Sequence, residues 1–341
     1  MQTIHLSASK DYDIIVTRGK EDFSCVEGHL KGKKVAVITD KNVDKLHGNY
    51  FDFLKNRFEL HKIVIEAGEK EKNGQNFLYL INALAELGFT RRDSVITFGG
   101  GVIGDLGAFV ASTYMRGISL VAVPTTLLSM VDSSVGGKTA IDIPAGKNLC
   151  GTFYQPDCVY VDLNFLNTLP EREISCGYGE IIKYVFISDK MKEKDLSSKN
   201  IEDIVAKAIE IKKDIVQKDE KESNLRKLLN FGHTVGHAIE KLSNYTLSHG
   251  ECVVKGMRFS IDISAKLYDL DVDKVSKMKE ILSVKGHDLT ANYDVDELIN
   301  VMKSDKKSGD DWVDFVTVKD IGEPVVERLS FDKLKEIMNE R

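Results

Sequence analysis

Residues 94–105 read SVITFGGGVIGD. The run Val95-Ile96-Thr97-Phe98 is short, apolar and rich in β-branched and aromatic residues, the pattern of a buried strand. Gly99, Gly100 and Gly101 follow, and from Val102 to Val110 the apolar residues begin a helix. A strand that turns through glycines into a helix presents bare backbone N–H groups at a positive helix terminus, which seats a phosphate. Gly99, Gly101 and Gly104 satisfy G-x-G-x-x-G in that strand–turn–helix context. A plain glycine-rich turn is the alternative.

Outward from this turn the pattern alternates. Tyr12–Val16, Lys34–Thr39 and Lys62–Ile65 read as strands upstream, and Leu120–Val123 and Val159–Val161 downstream. Between them Phe77, Leu80, Ile81, Leu84 and Leu87 keep helical spacing. Strands alternating with helices predict a parallel, doubly wound sheet. Beyond Leu169-Pro170 strand-like runs become rare and helical patterns take over. In one, Ile201, Ile204, Val205, Ala208, Ile209, Lys212, Ile215 and Val216 share a face. The expected architecture is an α/β N-terminal domain over 1–165, with a mainly parallel sheet, and a mostly α-helical C-terminal domain over 166–341. No internal repeat or low-complexity linker interrupts the chain.

The 341 residues suit two domains, and 42% hydrophobic with 29% charged residues is ordinary for a folded globular chain. A net charge of −6 argues against a nucleic-acid binder, though a few local lysines suffice for a small anion. The five cysteines are scattered and form no C-x-x-C, which indicates neither a disulfide framework nor a thiolate zinc site. The N-terminus lacks a basic region followed by an apolar one, and no apolar run reaches membrane-spanning length. A cytoplasmic protein is expected.

A dinucleotide fold places an acid at the end of the strand after its glycine turn. Here that strand ends in Pro124-Thr125-Thr126, with no carboxylate, and the nearest strand-end acid is Asp40, which closes VAVITD. Asp40 as a solvated turn residue is the plainer reading. Glu69 and Lys72 lie in a charged cluster that is ordinarily a solvated loop. Residues 132–142, DSSVGGKTAID, and then Gly146-Lys147-Asn148 join small residues to Lys138 and Lys147, and Arg116 adds a planar donor fork. Together they suggest an anion pocket; a flexible surface loop is the alternative.

In the second half, FGHTVGHAIE sets His233 and His237 four apart on one helix face. Spacing alone selects these two as ligands of a divalent metal, although the Glu of H-E-x-x-H is missing. His249, in SHGE, and Glu180, in GYGEIIKY, are further candidate donors. Lys212 falls on an apolar helix face, either snorkelling to solvent or reaching a polar site. Asp219 and Glu220 read by default as solvated charges.

Taken together, GGGVIGDLGAFVASTYMRGI, VPTTLLSMVDSSVGGKTAID, GYGEIIKY and LLNFGHTVGHAIE, in this order, resemble the dehydroquinate synthase family of sugar-phosphate cyclases. The resemblance runs from TDKNV at 39–43 to SDKK at 304–307. It implies NAD along Asp40, Asn42, Glu69, Lys72, Gly100, Gly101, Val102, Asp105, Thr125, Thr126, Lys138, Lys147, Phe165 and Thr168. It implies zinc, or cobalt, on Glu180, His233 and His249, which turns His237 from a ligand into a proton-handling residue. Arg116, Asp132, Lys138, Asn148, Lys183, Lys212, Arg226, Asn230 and Lys306 would surround a sugar-phosphate substrate in a cleft between the domains, with Glu222 a further acid/base candidate. A homodimer is implied, with Arg116 serving the neighbouring subunit's site. Ala67, Cys252 and Lys255 depart from the family's usual residues.

The implied reaction turns 3-deoxy-D-arabino-heptulosonate 7-phosphate into dehydroquinate, a shikimate-pathway step toward aromatic amino acids. Its stages are transient oxidation at C5, phosphate elimination, re-reduction, ring opening and intramolecular aldol closure. The competing readings are sister cyclases acting on other phosphorylated sugars, a metal-dependent polyol dehydrogenase, and a catalytically dead NAD- or metal-binding regulatory protein. Lys138, Asn148, Lys212 and Arg226 favour a keto-acid substrate.

Overall fold

The structure is a computed structural model and describes residues 1–305 and 311–340. Its strands are β1 (Gln2–Leu6), β2 (Tyr12–Thr17), β3 (Lys34–Asp40), β4 (Glu59–Ile65), β5 (Ser94–Gly99), β6 (Ser119–Pro124), β7 (Lys138–Ile143), β8 (Gly146–Phe153), β9 (Cys158–Asp162), β10 (Trp312–Asp320) and β11 (Glu323–Ser330). Seven of them form one sheet in the order β1-β2-β9-β6-β5-β3-β4, parallel throughout except for the β1–β2 pair. The mainly parallel sheet expected from the alternating pattern is present.

The strand order explains where a ligand belongs. From β3 the chain moves outward to β4, then returns across β3 to β5 and continues the other way. The reversal lies between β3 and β5, and in open α/β sheets ligands bind outside the carboxyl ends of the strands at such a point. Those two ends carry Asp40 and Gly99.

Helix Gly74–Glu86 is capped by Asn73, whose side chain accepts from Asn76 N, and ends where Gly88 takes a φ of 67°. Its Leu80 and Leu84 are fully buried beside Ile38, Val95 and Leu106; such leucines each contribute roughly 1.5–3 kcal/mol by burial. Helix Gly101–Thr113 lies close against the sheet, and the glycine that permits this is Gly107. A Cβ there would stand 2.6 Å from Thr97 Cγ2, whereas one at Gly104 meets nothing within 4 Å. Gly107, outside the G-x-G-x-x-G pattern, therefore performs the close-packing task usually given to the third glycine. Gly107→Ala is expected to cost about 1–3 kcal/mol and Gly104→Ala to be neutral or stabilising; urea unfolding of the two variants checks this order.

Two hairpins were not foreseen. Residues 138–153 form β7–β8, joined at Pro144-Ala145, where the sequence suggested an anion pocket or a loop. Glycines and lysines blur its alternation, although Thr139, Ala140 and Ile141 are buried. In the second half β10 and β11 pair antiparallel through Ile321-Gly322, within a region expected to be mostly helical.

Contacts cluster into two units: residues 1–170 with 212–220, and residues 171–211 with 221–341. Helix Ile201–Lys218 is thus divided, its last turns counting with the first unit. The second unit holds most of the helices; its core includes Val235, Ile239, Cys252, Ile263, Phe315 and Phe331. Cys252 is fully buried there, and the buried Lys255 ammonium donates to the carbonyls of Asp288 (2.7 Å) and Thr290 (2.6 Å). Two of the three departures from the family's residues, Cys252 and Lys255, are thus accommodated by local packing.

Candidate active site

In the first unit the glycine turn leads from strand β5 directly into a helix, as its sequence predicts. Gly100 is the N-cap of helix Gly101–Thr113 and no side chain caps that end, so the first N–H groups are open to an anion. A Cβ on Gly100 would stand 3.0 Å from Thr126 Cγ2. Thr125 N donates to Gly99 O at 2.9 Å, holding the Pro124-Thr125-Thr126 strand end beside the turn. Asp40 is a helix cap: its Oδ1 accepts from Asn42 N (2.8 Å) and Val43 N (3.1 Å). That fixes a carboxylate at the switch point. Such a terminus with a neighbouring acid fits the pyrophosphate and ribose of a dinucleotide.

Beside it lies a buried ion network. Lys72, 4% exposed, donates to Asn148 Oδ1 (2.7 Å) and Asp105 Oδ2 (3.1 Å), and Glu69 Oε1 lies 3.4 Å from both its Nζ and that of Lys147. Burial pushes the Asp105 carboxyl up in pKa, with Lys72 opposing; burial pulls Lys72 down, but Asp105 and Glu69 outweigh it and its pKa is raised. Lys72 is thus withdrawn from solvent, whereas Glu69 stays exposed at the edge of the network. Asp142, which sequence reasoning passed over, accepts from Asn148 N at 2.8 Å. Lys212 is buried and donates to the carbonyl of Asp132 at 2.5 Å, with the Asp132 carboxylate at 3.0 Å. Of its two readings, the polar site holds. Glu220 also departs from expectation: it accepts from Ser9 N (2.9 Å) and Gln155 Nε2 (2.8 Å), and Asp219 is buried.

Lys138 and Gly100 line one small cavity of about 30 Å³. Phe165 packs among His47, Tyr50 and Phe98, ring centroids 5.0–5.4 Å apart, and Thr168 Oγ1 lies 2.9 Å from His47 Nε2. Arg116 is exposed. Arg116, Asn148 and Glu222 have φ of 66°, 54° and 59°, a conformation that non-glycine residues adopt at a cost of about 1–2 kcal/mol.

In the second unit three helices converge. Glu180 lies within helix Glu171–Ile187, His233 opens helix His233–Leu242, and His249 opens helix His249–Tyr268. Ser248 and Glu251 form a capping box that sets the last helix start, an S-x-x-E signal visible in the sequence. Glycines next to the donors let the backbones touch: a Cβ on Gly250 would lie 2.1 Å from Cys176 O, and one on Gly256 1.9 Å from Gly232 O. As a result Glu180 Oε1 stands 3.1 Å from His249 Nε2 and 3.3 Å from His233 Nε2. Glu180 Oε2 accepts from the Lys183 ammonium, and both side chains are 1% exposed. Burial would raise the Glu180 carboxyl, but Lys183 and His233 hold it well below the usual range. Burial would lower His249, but Glu180 and Glu240 push it up to about 10.

One carboxylate and two imidazoles with converging donor atoms fit a divalent metal with an open coordination position. Spacing had selected His233 with His237. The structure instead puts His237 in an exposed position whose donor atom groups with Glu240 and His249. Arg226 is 1% exposed, and Asn230 Nδ2 donates to Glu222 Oε1 at 2.8 Å. Lys306 lies outside the described residues. Among the described residues no helix is long and apolar enough to cross a membrane.

Comparison with known proteins agrees with this geometry. Residues 62–176 match the family described as 3-dehydroquinate synthase N-terminal, and residues 177–308 that described as 3-dehydroquinate synthase C-terminal. A relative from Endomicrobium trichonymphae named 3-dehydroquinate synthase is 42% identical over 331 residues, covering 93% of this chain and 92% of its own. Among solved structures, a 2-deoxy-scyllo-inosose synthase complexed with carbaglucose-6-phosphate, NAD+ and Co2+ is similar with a TM-score of 0.90 at 24% identity, over 99% of both chains. A 2-epi-5-epi-valiolone synthase from Streptomyces hygroscopicus with NAD+ and Zn2+ bound gives 0.85 at 24% identity, over 98% of both.

Proposed function

The chain belongs to the 3-dehydroquinate synthase family, and from that premise we propose that it converts 3-deoxy-D-arabino-heptulosonate 7-phosphate into 3-dehydroquinate and inorganic phosphate. The observation that carries this reading is the convergence of Glu180, His233 and His249 within a chain whose residues 62–308 match the two halves of that family.

Glu180, His233 and His249 would hold zinc or cobalt. Asp40, Asn42, Glu69, Lys72, the 100–102 helix start, Asp105, Thr125, Thr126, Lys138, Lys147, Phe165 and Thr168 would hold NAD. When bound, NAD supplies reversible hydride transfer, and the metal supplies polarisation of the substrate's hydroxyl and ketone oxygens.

The chain's own groups do the rest. Lys138, Lys212, Arg226 and Arg116 offer fixed positive charge to the substrate's carboxylate and phosphate. Asn148, locked by Lys72 and Asp142, orients without changing charge. His237 presents an exposed imidazole as a candidate proton-handling group. Glu222, held by Asn230, offers a second carboxylate for proton transfer. Lys306 belongs to the same proposed substrate set. The reading also carries a division into an NAD-binding domain over 1–165 and a metal- and substrate-binding domain over 166–341. A homodimer rests on the family resemblance, and a cytoplasmic location on the scattered, unpaired pattern of the cysteines.

The test is phosphate release from this substrate with catalytic NAD, before and after chelation. Expected are phosphate and dehydroquinate in equal amounts, no NADH accumulation, and loss of turnover on chelation. No release, with metal and NAD bound, would overturn the reading in favour of a sister cyclase.

A further inference from the structure

Two histidines present Nε2 to the same carboxylate oxygen, Glu180 Oε1. Each imidazole therefore has its other nitrogen, Nδ1, turned away, and what that nitrogen meets fixes the ring's tautomer and tilt. For His233 the far nitrogen meets a backbone carbonyl, Phe231 O, at 3.2 Å. For His249 it meets a side chain: Glu240 Oε2 lies 3.6 Å from Nδ1. Glu240 is half-buried on helix His233–Leu242, and its spacing from His233 and His237 keeps all three on one face.

We propose that Glu240 is a positioning residue for the metal centre: its carboxylate, facing His249 Nδ1, keeps the proton on that nitrogen so that Nε2 is the nitrogen offered to the metal. The inference rests on the assignment of Glu180, His233 and His249 as ligands. The two histidines are then held differently. The support of His233 is backbone and immune to substitution, whereas that of His249 is one carboxylate that a single mutation removes.

His237, Glu240 and His249 also place donor atoms within 4.8 Å of one another. A second cation there would need His249 to give up Nδ1 while Nε2 serves the first, leaving an imidazolate. A carboxylate–histidine–metal arrangement needs only neutral imidazole.

The experiment is a cobalt titration of the metal-free full chain, read by its visible d–d absorption and by equilibrium dialysis, for the unaltered protein, Glu240→Gln and Glu240→Ala. Expected is one cobalt per chain throughout. Affinity should fall about 10–100-fold in Glu240→Ala and less in Glu240→Gln, which keeps an acceptor oxygen. The d–d band should shift, a change in the metal's surroundings that a loss of fold stability alone would not produce. Affinities within twofold for both variants would overturn the inference and leave the ligand assignment standing. So would two cobalt ions per unaltered chain with one lost in the variants, which would make Glu240 a direct ligand. No cobalt binding by the unaltered chain would overturn the ligand assignment itself, and this inference with it.

Discussion

Glu180→Ala is expected to abolish tight metal binding and to destabilise the metal-free second unit by about 3–5 kcal/mol. Two separate losses produce this. The carboxylate is the one oxygen donor of the set, and both imidazoles converge on its Oε1. Its other oxygen accepts from Lys183, which is 1% exposed; without the carboxylate that buried ammonium loses a close ion-pair partner, and less of its desolvation is offset. Glu180→Gln separates the two effects by keeping the volume and one carbonyl oxygen while removing the charge. Phosphate release should fall by at least about 10²–10³-fold in both variants. Cobalt titration together with urea unfolding of the metal-free chains reads each loss. Retention of stoichiometric metal by Glu180→Ala would remove Glu180 from the site.

Gly250→Ala should damage the same site without touching a donor atom. A Cβ at that position would stand 2.1 Å from the carbonyl oxygen of Cys176, and backbone cannot swing aside as a side chain does. The two helices must part by more than about 1 Å for an ordinary contact. The strain is of the kind that costs about 1–3 kcal/mol or more in packed interiors. Gly250 follows His249 directly, and Cys176 lies one turn before Glu180 on its helix. Parting the helices therefore pulls one ligand from another, and misplacement on this scale can cost about 10²-fold in activity. Gly28→Ala is the control: nothing lies within 4 Å of its Cβ position, so stability should change by no more than about 0.5 kcal/mol. Metal affinity and melting temperature for the two variants decide the matter; equal behaviour would mean that glycine at 250 does not set the ligand spacing.

The sequence by itself determined the parts whose causes are local. Strands such as KVAVIT and SVITFG declare themselves by composition, and the helix starting near Gly101 by its glycines. Each depends on neighbours within a few positions, so each was legible. The ordered motifs also carried the resemblance to one family, because chemistry-bearing residues and their glycines occur in short runs.

Tertiary structure alone decided the rest. Spacing joins His233 to His237, since residues four apart share a helix face; only the packing of three helices through Gly179, Gly232, Gly250 and Gly256 brings Glu180 and His249 to His233. Lys212, Lys72 and Glu220 look like charges meant for water until the carboxylates, carbonyls and amides that meet them arrive from distant strands and loops. The β7–β8 hairpin is hidden by glycines and lysines, and its pairing is fixed by contacts across the fold. Periodicity and capping record interactions along the chain, whereas convergence of donors and burial of charge depend on which distant backbones touch.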